Sequence, residues 1–420
     1  MIVSGRLRVP GDKSISHRSL MLAALADGTS RITRILESDD VRSTAAVLRR
    51  LGAEIPALAS DMTVTGVGLR GLRGPTEELD CGNSGTTTRL MAGIVAALPV
   101  TARFVGDASL SRRPMRRVAK PLTAMGARFE LPPHGGLPML VHGGALKDLD
   151  WQSEVASAQV KSAILLAGVV AGVRVTIDEP APTRDHTERM LGARGVDVVR
   201  HDTRIELAAA HRCIAPADTV VPGDPSSAAF FAGLAALADD GEITLEEVCV
   251  NETRTGFFDT LRRMGAEVEL RRDRLSGGEW LSPIVVRPGA LRGVEVGREI
   301  VPSMIDELPL LACVATRAEG ETVITGAAEL RVKESDRIAA VVANLRAIGA
   351  EASELEDGMR IVGSRTPLRG SIQTHGDHRL AMSFGVLGAL PGNEIQIDDR
   401  HCVAVSYPSF WSDLTAIIRS

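Results

Sequence analysis

Leu261-Arg262-Arg263-Met264-Gly265-Ala266-Glu267 is the phrase whose reading decides the fold: the last turn of an amphipathic helix, then a glycine, a small residue, an acid and a strand. Glycine accepts the left-handed backbone turn that ends a helix, so the phrase spells a helix handing over to a strand. It returns as Leu48-Arg49-Arg50-Leu51-Gly52-Ala53-Glu54, Leu122-Thr123-Ala124-Met125-Gly126-Ala127-Arg128, Leu191-Gly192-Ala193-Arg194-Gly195-Val196-Asp197 and Leu345-Arg346-Ala347-Ile348-Gly349-Ala350-Glu351. The glycines at 52, 126, 195, 265 and 349 lie 74, 69, 70 and 84 residues apart. Such a spacing is too long for a solenoid repeat and fits a unit of two helices and several strands. Six units fill 420 residues, with a sixth helix expected over 408–418.

A second echo divides the chain in half. Pro10-Gly11-Asp12-Lys13-Ser14 is answered by Pro222-Gly223-Asp224-Pro225-Ser226-Ser227, each leading into an apolar helical run. Three units per half, each half opening on the same turn, predict two similar domains that close over a ligand.

The totals bound the chemistry. With 44% apolar and 24% charged residues and a net charge of −5, the chain is a globular protein without the basic excess of a generic nucleic-acid binder. One Tyr and three Trp leave no platform for base stacking. Cys81, Cys213, Cys249, Cys313 and Cys402 are scattered without CxxC spacing, which argues against zinc and against a disulfide framework and reads as reduced thiols. No signal-peptide core and no bilayer-length apolar run is present, so the expectation is a cytoplasmic protein without membrane contact.

Candidate chemistry collects at helix starts. In Pro10-Gly11-Asp12-Lys13-Ser14-Ile15-Ser16-His17-Arg18-Ser19, Asp12 or Ser14 can cap a helix whose free N–H groups lie beside Lys13 and Arg18. That is a trap for phosphate or carboxylate, and it equally suits an ordinary capped helix with solvated cations. Cys81-Gly82-Asn83-Ser84-Gly85-Thr86-Thr87-Thr88-Arg89 offers a second anion nest, not a Walker loop, because its glycine spacing is wrong and no Lys precedes its hydroxyls. Four arginines stand within 112–117, and Arg113 before Pro114 is held extended, a geometry suited to aiming a forked guanidinium. Ser157-Ala158-Gln159-Val160-Lys161-Ser162 brings neutral hydrogen bonds, or a plain cap. Met304-Ile305-Asp306-Glu307 places acids before an apolar run. Arg331-Val332-Lys333-Glu334-Ser335-Asp336-Arg337, read as helix, puts Lys333 and Arg337 on one face, and Gly376-Asp377-His378-Arg379 leads Arg into another apolar helix. Together they describe a site for small polyanions, with two acids among the cations placed to move protons.

Over essentially its whole length the sequence resembles the 5-enolpyruvylshikimate-3-phosphate (EPSP) synthase family, on the segments beginning at Gly11, Gly82, Ser157, Arg331 and Gly376. The resemblance implies an α/β enolpyruvyl transferase fold, an inside-out α/β barrel of two domains with three βαβαββ units each and the active site in the cleft between them. The domains are expected at 12–221 and at 1–11 plus 222–420, hinged near 6–11 and 220–223. It implies transfer of the enolpyruvyl group of phosphoenolpyruvate to the 5-hydroxyl of shikimate-3-phosphate, by a monomer needing no metal or cofactor. Lys13, Ser14, Arg18, Ser157, Gln159, Arg184, Asp306 and Lys333 would hold shikimate-3-phosphate. Lys13, Gly85, Arg113, Gln159, Arg337 and Arg379 would hold phosphoenolpyruvate. Asp306 would be the base for the attacking hydroxyl, and Glu334 with Lys13 would protonate the methylene and the departing phosphate.

Some positions depart from the better-known branch of the family. Ala158 stands where that branch has a second Ser, its Tyr near Arg184 is missing, and its Lys near Val405 is absent, so Val405 stays outside the site. Gly85 is where Ala accompanies glyphosate resistance, which implies a sensitive enzyme. The sister family that uses UDP-N-acetylglucosamine as acceptor shares the fold, but carries a Cys in the loop that 104–120 would form, and that segment has none. A non-catalytic anion binder fits poorly, because Asp306 and Glu334 weaken anion binding unless they move protons.

Overall fold

In a computed structural model that describes residues 1–209 and 213–419, the five phrase glycines adopt φ values of +92°, +121°, +78°, +118° and +90° at positions 52, 126, 195, 265 and 349. Any side chain is strained there, which is why the phrase recurs around glycine.

The chain forms two compact bodies. The first holds Gly11–Pro222 with Leu275–Glu279, and the second holds Met1–Pro10, Gly223–Arg274 and Trp280–Ser420. Within each, one pattern repeats: a strand parallel to a second, the second antiparallel to a fourth, and the third antiparallel to the fourth. In the first body it runs through Leu79–Asp80, Thr101–Val105, Arg128–Glu130 and Met139–His142, then again through Leu149–Gln152, Val175–Asp178, Val198–His201 and Arg204–Leu207. The second body repeats it with Gly5–Leu7, Ile243–Cys249, Glu267–Leu270 and Glu279–Arg287, and with Glu295–Val296, Glu321–Ile324, Glu351–Leu355 and Gly358–Val362.

Two further copies are abbreviated among the described residues. Thr219–Val220 runs parallel to Thr29–Thr33, which pairs antiparallel with Asp61–Thr65, and Arg369–Ile372 runs parallel to Glu394–Ile397. The opening copy of each body therefore takes its first strand from a distant part of the chain. Thr219–Val220 serves the copy that begins with the helix Lys13–Leu25, and Gly5–Leu7 serves the one that begins with Pro225–Ala236.

Each copy carries two helices of different kinds. The first, as in Lys13–Leu25, Gly85–Ala96 and Ala158–Ala171 of the first body and Pro225–Ala236, Leu308–Ala315 and His378–Gly388 of the second, is buried almost all round. These helices pack on one another within their own body. The second kind, as in Asp39–Arg50 or Gly256–Met264, is amphipathic and ends in the phrase glycine. A helix buried almost all round has room for exposed polar groups mainly near its ends.

Both Pro-Gly-Asp turns start such helices. The Asp12 carboxylate accepts from the Ile15 N–H at 2.8 Å and that of Asp224 from the Ser226 N–H at 2.8 Å, so Asp, not Ser14, is the cap. The helix expected over 408–418 spans Phe410–Ala416, and the strand Ile418–Arg419 follows it, paired with Ile2–Val3. The segment 331–337 is not helical throughout. A short 3-10 helix, Ala328–Val332, stops before Lys333, and Arg337–Ala347 begins only after Asp336, whose side chain caps it by accepting from the Ala339 N–H at 3.1 Å. Asp336 prefers that cap to a place inside a helix, which explains the break.

Candidate active site

In the first body the starts of the three buried helices are wired together. Lys13 Nζ lies 3.1 Å from Asp40 Oδ2. Arg18, nearly buried, donates to Thr187 Oγ1 and Ser162 Oγ at 2.7 Å each and to the Ser14 carbonyl at 3.0 Å. Burial lowers its guanidinium to about 10; Glu188, Asp12 and Glu279 oppose that, while the like charge of Arg184 adds to it. Arg18 and Arg184 are thus near enough for their like charges to oppose one another.

Next to it, Ser84 caps Gly85–Ala96 by accepting from the Thr87 N–H, and Gly85 opens that helix. Arg113 is extended at φ −72°, ψ 140°, as its place before Pro114 predicts, and donates to Asn83 Oδ1 at 2.7 Å. Ser157 stands at the N-cap of Ala158–Ala171 but makes no side-chain cap hydrogen bond, so capping does not account for its hydroxyl. Gln159 donates to Thr86 Oγ1 at 3.0 Å and accepts from Arg89 Nη1 at 2.6 Å.

Arg89 is a residue that reading by motif passed over. It is buried one turn into the helix, after three threonines, and a cation at the head of the apolar run 90–96 is the signal that points to it. Lys161 turns the other way. Its ammonium is fully buried between Glu179 Oε2 at 2.9 Å and Glu188 Oε1 at 2.8 Å, where it holds the helix in place.

His17 belongs to a further hydrogen-bonded chain. Its Nδ1 lies 2.7 Å from Thr44 Oγ1, which lies 2.7 Å from Thr87 Oγ1, which donates to Ser84 Oγ at 2.7 Å, a chain tying the starts of two buried helices. Burial lowers His17 from 6.5 to about 3, with Lys13 and Arg18 adding to the effect and Asp40 opposing it. The unfolded chain protonates His17 below about 6.5 while the folded chain resists until about 3. Stability supplied by this group is therefore whole above 6.5 and falls as pH drops through that window, by up to about 1.4 kcal/mol per pH unit. The melting temperature of the wild type is expected to drop faster between pH 6.5 and 4.5 than that of His17→Gln. Parallel melting curves would refute this.

The second body holds the other cluster. Asp306 Oδ1 lies 3.3 Å from both Lys333 Nζ and Arg337 Nη1. Arg337, at 1% exposure, also meets Glu334 Oε2 at 2.8 Å through Nη2 and Asp377 through Nε at 2.8 Å and Nη2 at 3.2 Å. Burial alone would lower Arg337, but Asp377, Glu334 and Asp306 overcome it and hold it well above its usual range. Burial likewise opposes the ionisation of Asp377, and Arg337 prevails, holding that carboxyl below the usual range. Asp377 caps His378–Gly388 as well, accepting from the Arg379 N–H at 3.0 Å. Arg331, by contrast, is spent on Asp336, Glu354 and the carbonyls of Leu355 and Glu356.

Of the expected residues, the first body places Lys13, Ser14, Gly85, Ser157 and Gln159 at helix starts, Arg18 in the second turn of Lys13–Leu25, Arg113 at the end of Ala108–Arg112 and Arg184 just before His186–Gly192; the second places Asp306 just before Leu308–Ala315, Lys333 and Glu334 between two helices, and Arg337 and Arg379 in first turns. Asp40, Asp377 and Glu307 are partners that motif reading missed, because the contacts that reveal them join separate elements.

The chain is similar to known proteins over nearly its whole length. A family model described as EPSP synthase (3-phosphoshikimate 1-carboxyvinyltransferase) matches residues 2–414. The 3-phosphoshikimate 1-carboxyvinyltransferase of Xanthomonas euvesicatoria pv. vesicatoria is 49% identical over 410 residues, 97% of this chain and 93% of that one. The protein of the same name from a Sulfurihydrogenibium species is 48% identical over 420 residues, 99% of this chain and 97% of that one. Among solved structures, an EPSP synthase from Acinetobacter baumannii superposes with a TM-score of 0.87 at 42% identity, covering 99% of this chain and 95% of that one. An enolpyruvyl transferase from Streptomyces tendae shares the fold, with a TM-score of 0.77 at 18% identity over 99% of this chain and 95% of its own. No helix among the described residues is long and apolar enough to cross a membrane.

Proposed function

Because the chain belongs to the EPSP synthase family, we propose a division of labour among its residues for the reaction that the family performs. The enzyme transfers the enolpyruvyl group of phosphoenolpyruvate to the 5-hydroxyl of shikimate-3-phosphate, in aromatic amino-acid biosynthesis. In the addition step the hydroxyl oxygen bonds to C2 of phosphoenolpyruvate, loses its proton to a base, and the methylene carbon gains a proton. In the elimination step the methyl group returns a proton and the C2–O bond to phosphate breaks, the phosphate leaving with the electron pair. Each step needs one proton placed and one removed.

Arg18 and Arg184, with the Ser14 and Ser157 hydroxyls, hold shikimate-3-phosphate, assisted by Gln159 and Lys333. Lys13, Gly85, Arg113, Gln159, Arg337 and Arg379 receive phosphoenolpyruvate, the buried helix starts adding their partial positive charge. Asp306 takes the hydroxyl proton, and Glu334 and Lys13 serve the methylene and the leaving phosphate. The observation that carries this reading is Asp306 itself, a carboxylate with 14% of its side chain exposed, placed 3.3 Å from two cations. In a simple anion receptor that acid works against binding, and in a transferase it has a proton to move.

The test is phosphate release from purified enzyme given phosphoenolpyruvate with shikimate-3-phosphate or with UDP-N-acetylglucosamine, no metal added. Release with the first acceptor alone is expected, and release with the second alone would overturn the assignment. We place the enzyme in the cytoplasm as a monomer. None of its cysteines at 81, 213, 249, 313 and 402 is in a disulfide, which suits that compartment, and sedimentation at micromolar concentration tests the monomer.

A further inference from the structure

Glu307 is buried to 3% exposure beside the proposed base, yet none of the ordinary reasons for a buried carboxylate accounts for it. It occupies the N-cap position of Leu308–Ala315 but makes no side-chain cap hydrogen bond. Its Oε2 has no hydrogen-bond partner among the described residues. Its one side-chain polar contact among them is between Oε1 and Arg379 Nη1, at 3.4 Å.

Arg379, 8% exposed, has no other side-chain partner among the described residues. The contrast with Arg337 is informative. Arg337 spends Nε, Nη1 and Nη2 on three carboxylates, whereas Arg379 has one long contact and keeps its remaining donors. A tight forked pair would close to about 2.7–2.9 Å and occupy two donors. A loose, one-point pair instead fixes the azimuth of the guanidinium and supplies its counter-charge, without consuming the fork that a substrate anion needs. Leaving a carboxylate buried and half-satisfied is unfavourable, so its place beside Arg379 calls for a role other than stability.

We infer that Glu307 is a positioning residue for phosphoenolpyruvate recognition: it holds the Arg379 guanidinium in the orientation that receives an anionic group of that substrate. This rests on the assignment of Arg379 to phosphoenolpyruvate made above.

The test is a double-mutant cycle on the full-length enzyme, varying phosphoenolpyruvate at saturating shikimate-3-phosphate and then the reverse. Glu307→Ala is expected to raise KM for phosphoenolpyruvate roughly tenfold, with kcat and KM for shikimate-3-phosphate within about twofold. Glu307→Gln, which keeps the shape and the acceptor oxygen, is expected to recover most of the loss. In an Arg379→Ala background, Glu307→Ala is expected to add nothing further. The inference is overturned by an equal rise in both backgrounds, or by a rise in KM for both substrates alike. It also falls if Glu307→Ala is silent while Arg379→Ala raises KM. An Arg379→Ala enzyme with unchanged KM would overturn the assignment of Arg379 and the inference together. Should Glu307→Ala not fold, Glu307→Asp against Glu307→Gln replaces it, with the larger KM expected for the shortened side chain and equal KM values overturning the inference.

Discussion

Asp306→Asn is expected to lower kcat by about 10²–10⁴-fold while KM for either substrate moves by less than about tenfold. The change keeps the shape of the side chain and an oxygen able to accept from Lys333 Nζ and Arg337 Nη1, each 3.3 Å away in the wild type. What it removes is the capacity to take the hydroxyl proton. A loss confined to kcat therefore reports proton transfer, and a loss confined to KM reports binding. Steady-state phosphate release reads both, and a kcat drop of less than about tenfold would remove Asp306 as the base. Glu334→Gln is the matching control. Its carboxylate also braces Arg337, at 2.8 Å, so its replacement is expected to disturb KM for phosphoenolpyruvate as well as kcat.

Gly85→Ala is expected to raise KM for phosphoenolpyruvate by about 10–100-fold, more than it changes kcat. A methyl group at that position would sit 2.8 Å from Arg89 Nη1 and 3.5 Å from Arg113 Nη1. A long side chain often yields to such pressure. Arg89 is badly placed to yield, since it is 6% exposed and its Nη1 is held by Gln159 Oε1 at 2.6 Å. Displacing Arg89 therefore shifts Gln159, and displacing Arg113 loosens its bond to Asn83. Inhibition by glyphosate, expected of the Gly85 enzyme, is expected to weaken in the variant when phosphoenolpyruvate is near its KM. An alanine variant with unchanged KM and unchanged inhibition would show that the arginines move without consequence.

Much of this was legible in the sequence because it depends on local backbone rules. The five phrase glycines, a cap in each Pro-Gly-Asp turn and the extended Arg113 each follow from the φ/ψ preference or hydrogen-bonding reach of one residue, though the choice of Asp12 over Ser14 did not. Helix-start stretches such as 10–19 and 81–89 were legible for the same reason, since caps announce them, whereas the roles of single residues such as Arg184 and Asp306 came from the family resemblance. What escaped reading is what tertiary structure decides. Strands as short as Thr219–Val220 carry no periodic signal, and the return of Leu275–Glu279 to the first body follows from packing alone. The helical reading of 331–337 failed because Asp336 takes up capping in place of a helix interior. Arg379 and Glu307 lie 72 residues apart, so no motif joins them, and Arg89 is 70 residues from Gln159, the side chain it donates to.

The borrowed opening strands set a timetable for synthesis. Gly5–Leu7 emerges from the ribosome early, but its neighbour in the sheet, Ile243–Cys249, is made about 240 residues later. At roughly 5–20 residues per second that is an interval of about 12–48 s. Throughout that time the first body's own strands are already being completed, because Thr219–Val220 is translated before any of Ile243–Cys249. The N-terminal strand must wait with its edge unpaired, an exposed hydrogen-bonding template while the nascent chain is short of its second half.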